Sequence, residues 1–92
     1  MRFEVRVEVQ LRPGIADPQG ATIERALPAL GFDGVEAMRV GKVFRFHVEA
    51  SDEASARAEV AEMCERLLAN PVIEDAAIEV GAGVTLDAVA LP

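Results

Sequence analysis

Val9-Gln10-Leu11-Arg12-Pro13-Gly14-Ile15-Ala16-Asp17-Pro18-Gln19-Gly20 holds the end of a strand, a turn and the opening of a helix. Upstream of it Phe3, Val5, Val7, Val9 and Leu11 alternate with Arg2, Glu4, Arg6, Glu8, Gln10 and Arg12. An apolar period of two means a strand with one face buried and one face wet. Pro13-Gly14 ends that strand. The Asp17 carboxylate can accept from the first free backbone N–H groups of a helix, and Pro18 suits the first helical position because its missing N–H would have had no partner there. Gly20 leaves the first turn bare, so that another backbone or a partner's surface can come close, at a helix-propensity cost of about 1 kcal/mol relative to alanine. A second joint, Ala69-Asn70-Pro71, leads from a helix to a strand, so the chain reads as two halves of β and α hinged on proline-marked turns.

Beyond the first joint, Ile23, Ala26, Leu27 and Leu30 recur at helical spacing and Gly31 closes the helix. Pro28 lies inside it, where it removes a hydrogen bond and clashes with the preceding turn for about 3 kcal/mol, so a kink or tightening is expected there. Val35 to Val40 and Val43 to Ala50 then read as two extended runs joined by a tight hairpin at Gly41-Lys42, where glycine would allow a positive φ. In the second run Phe44, Phe46, Val48 and Ala50 share a face, with Arg45, His47 and Glu49 on the reverse. Ser51 and Asp52 cap a longer helix with an inward stripe of Ala56, Val60, Met63, Cys64, Leu67 and Leu68, which stops at Asn70-Pro71. A last strand follows, with Ile73, Ala76, Ile78 and Val80 inward and an irregularity near Glu74-Asp75.

The order β-α-β-β-α-β predicts a ferredoxin-like α+β sandwich, an antiparallel sheet with both helices on one face, formed by a single domain over residues 1–80. The right-handed crossover rule leaves such a topology little freedom. The other sheet face would carry Arg6, Glu8, Arg45, His47, Glu49 and Glu79, a surface of mixed sign that stays in water or pairs with a symmetric copy. Residues 81–92 form a tail with Val84, Leu86, Val89 and Leu91 and one charge, Asp87. So apolar a tail is expected to lie on a neighbouring subunit or on the domain's own sheet edge.

The 92 residues suffice for one core, and a domain this small is often supplemented by oligomerisation or by docking on a larger partner. A formal charge of −7 argues against nucleic acid and anionic membrane, both of which require a basic stripe. No apolar run approaches the roughly 18 residues of a membrane helix, and the N-terminus alternates charges where a signal peptide would be apolar. With one cysteine, Cys64, and hence no internal disulfide, the chain is expected to be cytoplasmic.

The residue types that carry catalysis are present but poorly placed. Glu53, Glu59, Glu62 and Glu65 fall on the outer side of the second helix, the ordinary position for a solvated acidic face. His47 is the sole histidine, and strand alternation puts it on the opposite sheet face from the helix bearing Cys64, which separates the two members of a cysteine–histidine nucleophile. No metal-ligand spacing and no aromatic platform for a base or sugar is found. Gly41-Lys42 lacks the earlier glycine and following Ser or Thr of a phosphate-binding loop. Lys42, the only lysine, would then be a turn tip able to meet a partner's carboxylate or phosphate. No catalytic, cofactor-binding or metal-binding residue is assigned.

Val9-x-Leu11-x-Pro13-Gly14-x-x-Asp17-Pro18-Gln19-Gly20, Leu30-Gly31-Phe32, Val40-Gly41-Lys42 and Leu67-Leu68-Ala69-Asn70-Pro71-Val72-Ile73-Glu74, in this order over residues 1–80, closely resemble the PurS family. That family is the small subunit of phosphoribosylformylglycinamidine (FGAM) synthase, an enzyme of de novo purine biosynthesis. The resemblance implies a chain that is itself non-catalytic and that, as a homodimer or homotetramer, bridges a large synthetase subunit and a glutaminase subunit and assists ammonia transfer. ATP, Mg and glutamine would be bound by those partners. It also implies that Asp17, Pro18, Gln19, Gly20, Gly41, Lys42, Asn70, Pro71 and Glu74 touch partners, although cap, turn and helix stop account for most of them without one. The rival reading is a ferredoxin-like regulatory module that holds a small metabolite at a dimer interface.

Overall fold

The structure is a computed structural model in which residues 1–81 are described. The alternating run becomes β1 (Arg2–Leu11), the central strand of a three-stranded sheet, with β2 (Gly41–Glu49) on one side and β3 (Glu74–Gly81) on the other. Both pairings are antiparallel, and their registers place Val5 between Phe46 and Val80 and Val7 between Phe44 and Ile78. Because the side-chain period is two, this register sends every odd residue of β1 to one face. Phe3, Val5, Val7 and Val9 are all buried there.

One helix covers that face. α2 (Glu53–Met63) begins at Asp52, whose carboxylate accepts from the Ser55 N–H at 2.7 Å, and it presents Ala56 and Val60 to the sheet, followed one turn later by Cys64. The guanidinium of Arg57 donates to the Ile78 carbonyl at 3.1 Å and fastens α2 to β3. Beyond Met63 the helix widens into a π turn over Cys64–Leu68, closed by the Ala69 N–H on the Cys64 carbonyl at 3.0 Å. The extra residue in that turn changes the inward set. Leu68 packs on the core, whereas Leu67, expected in the buried stripe, is 83% exposed.

α1 (Pro18–Ala26) starts at the Asp17 cap as expected and ends short of Pro28. Pro28–Leu30 tightens into a 3-10 turn closed by Gly31 at φ 95°, a conformation that glycine adopts without strain. α1 supplies none of the core cluster, and only its Gly20 is buried.

The α+β class and the ferredoxin-like arrangement hold with one strand fewer than the sequence suggests: among the described residues the sheet has three strands, and Val35 to Val40 is not one of them. Ala37 takes a left-handed φ of 58°, which breaks an extended run, and the following N–H groups are taken by carboxylates of α1 and its cap. Met38 N donates to Glu24 Oε1 and Val40 N to Asp17 Oδ2, each at 2.8 Å. The two carboxylates serve in place of a neighbouring strand's carbonyls. Gly41-Lys42 is therefore no hairpin tip but the start of β2, paired with Gln10 and Val9. Among the described residues, a crossover between parallel strands occurs only in β2–α2–β3, whose two strands flank β1. The β1–β3 ladder is continuous from Leu11↔Glu74 to Glu4↔Gly81, without the expected irregularity at Glu74-Asp75.

The reverse face is polar and of mixed sign, as read from the alternation. Arg6 donates to Glu79 at 3.0 Å and to Glu8 at 3.1 Å, and His47 lies 3.5 Å from Glu4. No described helix is long and apolar enough to cross a membrane. The tail expected over residues 81–92 lies outside the described residues except for Gly81, which ends β3. The packing makes a paired prediction in urea unfolding. Val60→Ala, at a fully buried site, should cost about 2 kcal/mol, and Leu67→Ala should stay within about 0.5 kcal/mol. A regular α-helix through residue 68 would reverse the second expectation.

Candidate functional site

Since β1 runs antiparallel to both neighbours, its C-terminal end meets the N-terminal ends of β2 and β3. That geometry gathers sequence positions 17–20, 39–42 and 70–75 at one end of the sheet. Between the start of α1 and this end lies an open cleft of about 260 Å³ whose rim includes Asp17, Gln19, Gly41, Lys42 and Glu74. Val9, Leu11 and Val40 also line it. Five of the nine partner-contact residues expected from sequence thus share one depression.

Asp17 is the pin of the cleft. One carboxylate oxygen accepts from the Gly20 N–H and the other from the Val40 N–H, each at 2.8 Å, so a single side chain caps α1 and binds the lead into β2. These bonds, the Gly20 one foremost, favour the ionised form and hold the Asp17 carboxyl below its usual value despite partial desolvation, with the Arg39 guanidinium adding to the effect. Gly20 is buried, and a Cβ there would lie 2.6 Å from the Met38 carbonyl oxygen. The close approach at Gly20 is made by the chain itself, from the Met38 carbonyl. Gly41 has a similar role: a Cβ would stand 2.7 Å from the Val9 carbonyl oxygen, so glycine is required by strand contact and not by the positive φ expected of a hairpin.

Asn70, Pro71 and Glu74 form a self-contained joint. The Asn70 side-chain oxygen accepts from the Val72 N–H at 3.0 Å, and Glu74 Oε1 accepts from the Asn70 N–H at 2.7 Å. Arg12 donates to the Pro71 carbonyl at 2.6 Å and stands 3.2 Å from Asp75. Arg39 donates to the Ile15 carbonyl at 3.1 Å and reaches that of Arg12 at 3.4 Å. These two arginines hold the end of the sheet together, yet neither is marked in the sequence, because their partners are backbone carbonyls set by the fold. Pro18, Gln19 and Lys42 remain exposed. The Lys42 ammonium lies 5.7 Å from the centre of the Phe44 ring, a cation–π contact.

His47 and Cys64 do not meet. His47 stands on the polar face, with the Arg2 guanidinium 3.0 Å from its Nδ1, while Cys64 is buried under the opposite face. Burial pushes the Cys64 thiol up, away from the thiolate that nucleophilic work needs. On α2 and the π turn, Glu53 pairs with Arg57 and Glu62 with Arg66 one helical turn on, at 3.4 and 3.1 Å. A larger hollow of about 530 Å³ opens near Glu8 and Asp75, but both carboxylates already have arginine partners, Arg6 and Arg12. No group of described His, Cys, Asp or Glu residues is arranged to hold a metal ion.

Residues 4–82, which include every part of the cleft, match the family model of PurS, phosphoribosylformylglycinamidine (FGAM) synthase. The chain belongs to the PurS family. It is 48% identical over 68 residues to the FGAM synthase subunit PurS of Archaeoglobus fulgidus, a match covering 74% of this chain and 85% of that one. With the Synechocystis PurS subunit it shares 42% over 80 residues, 87% of this chain and 80% of the relative. Among solved structures, a chain of PurLQS from Thermotoga maritima superposes with a TM-score of 0.80 at 36% identity, covering 87% of this chain and 98% of that one. Bacillus subtilis PurS gives 0.79 at 40% identity, covering 87% and 99%. The PurS assignment read from the two joints therefore stands, and with it a place among the subunits of FGAM synthase.

Two measurements check the cleft. Gly20→Ala should destabilise by about 1–3 kcal/mol, because the clash with a backbone carbonyl outweighs the roughly 1 kcal/mol of helix propensity gained. Asp17, whose folded pKa lies below its unfolded value, contributes stability that is present above the unfolded value near 3.9 and is lost as pH falls through the lowered folded value. Acid unfolding of Asp17→Asn should lack that part of the pH dependence, and carboxyl NMR of the parent should show Asp17 titrating below 3.9.

Proposed function

We propose that this chain is the non-catalytic bridging subunit of an FGAM synthase. In that complex formylglycinamide ribonucleotide becomes formylglycinamidine ribonucleotide with ATP and glutamine. On this reading a synthetase subunit holds ATP and Mg, a glutaminase subunit releases ammonia from glutamine, and the small subunit keeps the two in register. Ammonia that stays out of bulk water escapes protonation and loss. The observation that carries the reading is the PurS match over residues 4–82, together with the likeness of the folded chain to one found in a PurLQS structure.

The side-chain chemistry agrees. The one thiol is buried and held protonated, and the one imidazole is engaged with Arg2 and Glu4 across the sheet, so neither supplies an activated nucleophile. Ile23, Leu30, Phe32 and Val35 on and after α1 are exposed and outside the core. Such surface favours self-association as a homodimer or homotetramer. We place the assembly in the cytoplasm, where a lone thiol stays reduced.

Reconstitution tests the proposal. Omitting this chain from a mixture of synthetase and glutaminase should collapse glutamine-dependent FGAM formation while ammonia-dependent formation persists to a greater degree. The purified chain alone should convert nothing. Full glutamine-driven activity without it would sink the bridging role.

A further inference from the structure

Residues 13–40 are bonded to one another and hardly at all to the sheet. Asp17 accepts from the Gly20 and Val40 N–H groups, Glu24 accepts from that of Met38, and Arg39 donates to the Ile15 carbonyl. Among the described residues, the hydrogen bonds that leave the segment end on one atom at its border, the Arg12 carbonyl oxygen. It accepts from Ile15 N at 3.1 Å and from Arg39 at 3.4 Å. No apolar side chain of the segment belongs to the core cluster or packs against it. The chain enters and leaves the segment at neighbouring points, because Gln10 pairs with Gly41. Entry is through Pro13 and Gly14, both exposed, with Gly14 at φ 86° and open space where a Cβ would stand. A self-bonded body joined to a sheet by two adjacent passages of chain has the layout of a hinge. The cleft of about 260 Å³ is the gap across which its α1 end faces the sheet.

A turn about that hinge can bring together two apolar surfaces that are only partly used. On the segment, Ile23 is exposed and Leu27 half-buried. They lie one helical turn apart, about 6 Å along the axis. On the sheet, Phe44 and Phe46 are inward residues of β2 yet stay half-buried, since α2 gives Ala56, Val60 and Cys64 to the core and is fastened to β3. Two residues along a strand span about 7 Å, so the two pairs match in spacing. We propose that residues 13–40 form a hinged flap with two positions, the outward one of this structure and a closed one in which Ile23 and Leu27 lie on Phe44 and Phe46. Closing hides the surface that α1 offers to a second copy, so self-association selects the outward position.

The double variant Ile23→Cys/Phe46→Cys tests the flap without any partner subunit, so its failure would leave the bridging role intact. Under mild oxidation the dilute chain should form a disulfide between the two new cysteines of one polypeptide, mapped by mass spectrometry. Its yield should fall several-fold as rising concentration drives self-association. Cys64 is buried and stays out of the exchange. A disulfide found only between differently isotope-labelled copies would overturn closure, and so would none at any concentration. A yield indifferent to self-association would overturn the competition. Because Phe46→Cys removes a side chain packed on the core, 15N relaxation of the parent chain gives a second reading that needs no substitution. Amides of α1 should show motion that those of β1 lack, on a timescale between nanoseconds and milliseconds. A single tumbling time shared by α1 and β1, with no exchange in α1, would overturn the hinge.

Discussion

The fold depends on β1 being hydrogen-bonded along both edges. With both edges paired and α2 packed on one face, β1 exposes only its other face, and in this chain the sequence separates the two cleanly: Phe3, Val5, Val7 and Val9 are buried, while Arg2 and Gln10 are exposed and Glu4, Arg6 and Glu8 intermediate. A slip of one residue would send four apolar side chains into water and as many polar ones into the core. The ladders to β2 and β3 are therefore in register from end to end. α2 then has one surface to cover, and Ala56, Val60 and Cys64 are the residues with which it does so.

What could be read in advance divides according to whether the interaction is local. β1, the Asp17 and Asp52 caps, the break at Pro28 and the separation of His47 from Cys64 all follow from period, capping chemistry or strand alternation, which need no knowledge of distant residues. The sequence predicts an extra strand over Val35 to Val40, joined to the next run at Gly41-Lys42. It fails because Glu24 and Asp17, one of them 14 residues upstream of its bond partner, supply acceptors that a pattern-based reading assigns only to another strand. The exposure of Leu67 was hidden for a different reason: a π turn inserts one residue into the helical count, and no composition cue announces it.

The candidate site was legible as positions and not as roles. Asp17, Gln19, Gly41, Lys42 and Glu74 do share a cleft, but Gly20 and Gly41 are there because the chain's own carbonyls approach them. Arg12 and Arg39, which hold the surroundings in place, carry no signature because an arginine that serves backbone carbonyls looks like any solvated arginine in sequence. The residues that match the PurS family, 4–82, include the joints that shape this end of the sheet.

The attachment of α1 has a consequence for how the molecule opens. Its links to the rest of the chain include two carboxylate-to-backbone bonds, from Asp17 and Glu24, and it places no side chain in the core, so it lacks the burial that locks α2. Such an element belongs to the least protected tier of a protein, exchanging its amide hydrogens through small excursions that leave the central strands untouched. Rigidity in that helix would then have to come from whatever it is pressed against.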